Sequence, residues 1–258
     1  MMCSMCNGIS HLKLRKKYFR GLQDKKFNID SMQAYIRQKP ELDKMLERII
    51  HKYINKRGVP KILDACCGIG HLSIHMHEKF PNAKFLGIDE TSYLIKEAQK
   101  LSMDAENVQF KVADIYSLPK KYKKEFDISI CWKTLTWFPC YEDALRALFA
   151  VTKKHIFISS LFYEGDIDFH IEVREHTKER GAKGVSSHHN IYSLPRFKRF
   201  VQSLGAKRMR IADFDIGIDL PRKDLNRMGT YTLSLKNGKR MQMSGALPMP
   251  WKIITIDL

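Results

Sequence analysis

Five short apolar runs alternate with helical stripes between residues 61 and 162, and this alternation constrains the fold more than any other feature of the chain. The runs are "KILDA", "KFLGID", "VQFKVAD", "FDISICW" and "HIFISSLF". Between them, Ile69, Leu72, Met76 and Phe80 fall at helical spacing, as do Leu94, Ile95, Ala98 and Leu101 after a Thr91 cap, and Ala144, Leu145, Leu148 and Val151. Strands joined by helical crossovers predict a parallel sheet with helices on both faces. Its ligand is expected at the carboxyl ends of the strands, beside strand one.

The flanks read differently. Leu42, Met45, Leu46, Ile49, Ile50 and Tyr53 form a helical stripe stopped by Gly58 and Pro60, so residues 1–58 are expected to form a helical N-terminal cap on a domain of residues 59–258. A polar stretch follows the fifth strand and predicts a substrate insertion at about residues 161–192. Ser193 then starts a helix carrying Phe197, Phe200, Val201 and Leu204, closed by Gly205. "KRMRIADFDI" reads as a strand, "TYTLSLKNGKRMQMS" as a hairpin with a type I′ turn at Asn237-Gly238, and "WKIITIDL" as the closing strand. No apolar run approaches the length of a membrane span, and no secretory signal is visible in the first residues. Six scattered cysteines predict reduced thiols and a cytoplasmic location.

After the first strand, "DACCGIG" opens a helix, where glycines let backbone approach a ligand and the helix terminus offers free N–H donors. A dinucleotide fingerprint would have a third glycine where Ser73 stands. Two acids follow at strand ends: Asp89, suited to ribose hydroxyls, and Asp114, where an adenine amino group would lie.

In order and spacing, "ILDACCGIG", "FLGID", "FKVADI" and "FDISICWKTLTWF" resemble the class I S-adenosylmethionine-dependent methyltransferases. The resemblance implies a Rossmann-like, doubly wound, mostly parallel seven-stranded sheet with an antiparallel last strand, here with a β-hairpin insertion near the C-terminus. It further implies that backbone around Asp64, Gly68 and Gly70 cradles the methionine end of S-adenosylmethionine, Asp89 holds the ribose, Asp114 and Ile115 flank the adenine, and Cys131 and Trp132 line the sulfonium region. Cys66 stands where the family's loop has its first glycine.

Other patterns point away from chemistry. His71 and His75 lack a third ligand and are expected on or beside the outer helix face, and Cys3-x-x-Cys6 has no second pair, so no metal is expected. Phe138-Pro139-Cys140 is similar to the nucleophile motif of cytosine-C5 methyltransferases, but Glu106-Asn107-Val108 precedes it, the reverse of their order.

The net charge of +17 is held by the flanks: +9 in residues 1–60, −1 in 61–169 and +9 in 170–258. Basic substrate walls suggest an anionic partner. An O-methyltransferase of a small anionic acceptor, such as a sugar nucleotide in surface-polysaccharide biosynthesis, is the first expectation. An RNA methyltransferase is the alternative, with Tyr18, Phe19, Phe27 and Tyr35 among lysines, and a non-catalytic cofactor-binding scaffold is the third. Tyr163, Glu164 and Asp166 are candidate substrate contacts, and His170, His188 and His189 candidate bases for a hydroxyl nucleophile.

Overall fold

A computed structural model describes residues 29, 32–33, 36–37, 39–54, 58–176, 185–222, 225 and 228–258. Cys3, Cys6, Tyr18, Phe19, Phe27 and Tyr35 lie outside the described residues. Helix α1 (Glu41–Ile50) precedes β1 (Lys61–Ala65), α2 (His71–Lys79), β2 (Lys84–Asp89), α3 (Ser92–Leu101), β3 (Val108–Val112), the short α4 (Leu118–Lys121), β4 (Phe126–Trp132), α5 (Glu142–Val151) and β5 (Thr152–Tyr163). The second half holds β6 (Glu172–Glu175), β7 (Val185–His188), β8 (Ile191–Ser193), α6 (Leu194–Ser203), β9 (Arg208–Asp213), β10 (Thr230–Ser234), β11 (Arg240–Ser244), β12 (Leu247–Pro248) and β13 (Trp251–Asp257).

The main sheet runs β3-β2-β1-β4-β5-β13-β9. The pairings of β1 to β5 are parallel, and β13 is antiparallel to both its neighbours. This is the doubly wound sheet with an antiparallel last strand that the sequence predicts. Alternation along the strands builds a core on each face. Ile62, Ile128, Ile130 and Ile253 pack under α1, α2 and α3, which bring Leu46, Leu72 and Ile95. Leu63, Phe126, Ile156 and Ile254 pack under α5 and α6, which bring Leu145, Leu148 and Phe197. The described part of the expected cap is therefore α1, laid across one face of the sheet.

Several local expectations change. Thr91 precedes α3 without a side-chain cap; Asp89 Oδ1 instead accepts the Thr91 N–H at 2.9 Å. Only Gly238 in the hairpin turn has positive φ, and Leu235 N–H donates to Lys239 O, so the loop is the three-residue form with one left-handed glycine rather than type I′. The polar insertion contains a two-stranded antiparallel sheet, β6–β7, and then β8. Strand β8 pairs with Leu161–Tyr163 of β5, beyond the point where β4 leaves that edge at Ser159. It thus fills the slot β4 vacates and carries the insertion to the carboxyl end of the sheet. Among the described residues, no helix is long and apolar enough to cross a membrane.

Candidate functional site

The β1–α2 turn is held by three left-handed residues, Cys66 (φ 63°), Gly68 (φ 58°) and Gly70 (φ 75°). They serve different ends. A Cβ on Gly68 would meet the Met32 side chain in ordinary van der Waals contact, Sδ at 3.4 Å and Cε at 3.7 Å, so no clash holds this position to glycine, and its backbone lines the cavity. A Cβ on Gly70 would lie 2.2 Å from Phe110 Cζ, and one on Gly87 2.3 Å from the same ring. Gly70 is small because Phe110 occupies the space beside it. Cys66 bears a side chain in a conformation that favours glycine, at a cost of about 1–2 kcal/mol.

Three carboxylates from successive strand ends line the cavity above this turn. Asp64 is buried and accepts from Ser73 Oγ at 2.7 Å. Burial pushes its carboxyl up to about 7; the Ser73 bond opposes this, and the charges of Asp43 and Asp89 add to it. Asp89 accepts the Gly68 N–H at 3.1 Å on Oδ2, clamping the turn to β2, and burial raises its carboxyl too. Asp114 Oδ1 accepts the Tyr116 N–H at 3.0 Å, which fixes the backbone on either side of Ile115.

The cap helix reaches this floor through Asp43, which is buried. Trp132 Nε1 donates to Asp43 Oδ1 at 2.8 Å, Lys133 Nζ lies 3.1 Å from the same oxygen, and His71 Nε2 lies 3.1 Å from Oδ2. Burial works to raise the Asp43 carboxyl, but Lys133, His71 and Trp132 outweigh it and hold the group well below the usual carboxylate range. His71 is itself pushed below its ordinary value, first by burial. His75 is also buried, with Nε2 3.2 Å from Ile36 O. Neither histidine is on the outer face predicted for it, because residues before β1 meet that side of α2: Asp43 of α1 at His71 and Ile36 O at His75. Among the described residues, no cluster of His, Cys, Asp and Glu has the makings of a metal site.

The opposite wall is made where the post-β4 turn meets β8. Asn190 N–H donates to Thr136 O and Thr136 Oγ1 to Asn190 O, each at 2.8 Å, while Asn190 Nδ2 donates to Phe138 O at 2.6 Å. The Tyr192 hydroxyl sits 2.5 Å from Phe138 O and 3.1 Å from Leu135 O. This stapling presents His189 to the cavity, its ring 6.3 Å from that of Trp137. Burial, and next the charge of His188, lowers the His189 pKa, with Glu175 opposing. Its Nδ1 is buried without a hydrogen-bond partner among the described residues.

Of the residues singled out in the sequence, Asp64, Gly68, Asp89, Asp114, Ile115, Trp132 and His189 line this one cavity. The others stand elsewhere. Cys131 points to the opposite sheet face from Trp132, where burial pushes its thiol up to about 12. His170 is exposed and His188 is buried away from the lining. Glu164 pairs with Lys252 at 2.6 Å and Asp166 with Arg199 at 2.9 Å. Tyr163 is half-exposed, edge-on to Phe169. Cys140 is buried outside the cavity. Asp43, His71, Lys133, Trp137 and Trp251 belong to the site without having been expected there.

Residues 59–214 match the family described as "Methyltransferase domain". The chain belongs to that family. The methyltransferase domain is 25% identical over 170 residues to malonyl-[acyl-carrier protein] O-methyltransferase of Bacillus cereus, covering 64% of this chain and 62% of that protein. It is 34% identical over 79 residues to an uncharacterized Rickettsia prowazekii protein, covering 30% and 31%. The chain thus spans less than two thirds of the length of either curated relative. Among solved structures it resembles YcgJ from Bacillus subtilis (TM-score 0.55, 16% identity, 82% of this chain and 97% of that one). It also resembles magnesium protoporphyrin IX methyltransferase from Synechocystis with bound SAM (TM-score 0.54, 13% identity, 97% and 98%). These likenesses are of fold, and they cover the methyltransferase domain from the glycine turn to the last strand.

Proposed function

We propose that the chain is an S-adenosylmethionine-dependent methyltransferase acting on an oxygen of a small acceptor. Asp64 carries the cofactor reading: a buried carboxyl, raised to about 7, whose partner at 2.7 Å is a neutral hydroxyl. Such a group calls for a cation, and the α-ammonium of the cofactor's methionine end is one. The backbone of Gly68 lines the same cavity, and each Asp89 oxygen keeps a lone pair for a ribose hydroxyl after accepting one backbone N–H. Asp114 and Ile115 would hold the adenine. The cofactor is S-adenosylmethionine; it supplies a methyl group on a sulfonium, and the acceptor oxygen takes that carbon while the pair of the broken C–S bond remains on sulfur.

His189 is the base in this reading. Burial holds it below its ordinary value, so at neutral pH it is uncharged and able to take the acceptor's hydroxyl proton. The Asn190–Thr136 bonds fix the backbone beside it, and Ser187 Oγ lies 3.4 Å from its Nε2. A sugar nucleotide, the acceptor suggested by the basic flanks, would need a cation near its phosphates, and Lys133 is already engaged by Asp43.

Calorimetry with S-adenosylmethionine tests the assignment. Asp89→Ala should weaken binding at least tenfold, about 1.4 kcal/mol; unchanged affinity would overturn the ribose placement. His189→Gln should lower kcat by roughly 10²–10⁴ without changing cofactor affinity, and equal loss of both would assign His189 a structural role instead.

A further inference from the structure

The chain has three tryptophans, at positions 132, 137 and 251, and all three line the one cavity. They come from three separate places: the end of β4, the turn after it, and the first residue of β13. Among the described residues, Trp132 alone has a partner for its indole N–H, Asp43. Phe138 and Met249 join them in the lining.

Charge divides the cavity into two ends. The acids Asp64, Asp89, Glu90 and Asp114 all stem from the ends of β1, β2 and β3, the half that would hold the cofactor. The other half is built by residues 134–138, His189 and the C-terminal strands. Among its described lining residues there is no lysine, arginine, aspartate or glutamate. Lys133, the one lysine of the described lining, has its Nζ 3.1 Å from Asp43. A chain of net charge +17 thus encloses a cavity whose described lining residues make an acidic end and an end without formal charge. Several of its outward-facing cations are matched locally: Arg240 with Asp219, Lys239 with Asp215, Arg199 with Asp166. A phosphate in the end without formal charge would give up its hydration with no cation but the Asp43-bound Lys133 among the described lining residues to replace it, while facing carboxylates across the cavity.

We propose that the acceptor is an uncharged, flat, aromatic molecule carrying one ionisable hydroxyl, bound against Trp137 and Trp251. This rests on the methyltransferase reading and names its substrate class. Indole faces favour planar rings, and the hydroxyls of Thr230 and Ser244 in the same lining offer orienting contacts without net charge. His189, the titratable side chain at this end, matches an acceptor with a single proton to lose. Transfer forms the aryl ether O–C bond, sends the hydroxyl proton to His189 and leaves the C–S electron pair on sulfur.

The test uses the full chain saturated with S-adenosylhomocysteine, titrated calorimetrically with 2-naphthol and, separately, with UDP-glucose. The proposal expects 2-naphthol to bind at least tenfold more tightly than UDP-glucose. Trp137→Ala should weaken 2-naphthol at least tenfold, and Trp137→Phe should recover most of that loss. Both variants should keep wild-type affinity for S-adenosylhomocysteine, which separates loss of the acceptor site from loss of fold. UDP-glucose binding as tightly as 2-naphthol, or 2-naphthol affinity indifferent to Trp137→Ala, overturns the substrate class while leaving the methyltransferase reading intact. Failure of the wild-type chain to bind S-adenosylhomocysteine overturns that reading, and the proposal with it.

Discussion

If Asp64 receives the cofactor's ammonium as proposed, cofactor binding should release a proton. Its carboxyl rises from 3.8 to about 7 in the folded chain, chiefly through burial. Three units at about 1.4 kcal/mol each amount to roughly 4 kcal/mol of unfavourable ionisation. An acid whose native pKa is raised binds more protons folded than unfolded between those two values, so stability from this group is present below pH ~4 and is lost as pH climbs toward 7. A cofactor ammonium placed beside the carboxylate reverses the penalty and draws the pKa down. At pH 6 the free site would be about nine-tenths protonated and the occupied site ionised, so close to one proton leaves per cofactor bound. Calorimetry at pH 6 in buffers of different ionisation heat measures that number directly. Affinity should rise several-fold from pH 5.5 to 6.5, then fall once the cofactor's own amine deprotonates above about 7.7–8.0. Asp64→Asn should bind more weakly and release no proton. If the wild-type chain released none at pH 6 and its affinity were flat with pH, Asp64 would not be the group that receives the ammonium.

Three further outcomes follow from local geometry. Cys66→Gly should stabilise the chain by up to about 1 kcal/mol, the relief of a left-handed non-glycine residue less the entropy glycine loses on folding, as read by urea denaturation. Gly70→Ala should destabilise by about 3 kcal/mol or more, since its Cβ would meet the Phe110 ring at 2.2 Å as well as the φ of 75°. Adding Phe110→Leu should recover part of that loss and no more, because the backbone strain remains. Tyr192→Phe should lower unfolding free energy by about 0.5–1.5 kcal/mol through loss of one hydroxyl hydrogen bond, since Phe138 O keeps Asn190 Nδ2 and Leu135 O keeps the Phe138 N–H, with a matching rise in hydrogen exchange across residues 135–138.

The sheet was legible because each crossover repeats one pattern: apolar run, turn, stripe. "FDISICW" and "WKIITID" were bounded to within a residue, since buried strands of β-branched residues between polar turns leave little choice. The convergence of three acids on one cavity was legible for the same reason; Asp64, Asp89 and Asp114 mark strand ends, and strand ends converge in a parallel sheet. Nothing periodic announces Asp43. It sits beside Leu42 in an apolar stripe and is buried because three donors from distant segments meet it. The acceptor end was obscured in another way. Tyr163 ends β5 and Glu164 and Asp166 follow it, but the return of the chain through β8 brings His189 to the cavity lining, which holds none of those three. Overall charge is a poor guide to the acceptor because it counts surface lysines and the lining of a cavity alike.

The Asp43 contact bears on what the inherited unit is. The recognisable family segment opens at residue 59, after α1 has ended. A fragment cut there would keep every strand of the main sheet, yet it would leave Lys133 and His71 side by side without their shared anion and strip the Trp132 indole of its acceptor. The segment that can be traced by descent is therefore shorter than the one that must be present for the pocket to hold its shape. Variation in the helix before residue 59 becomes a means of retuning the pocket while the glycine turn and its three acids stay as they are.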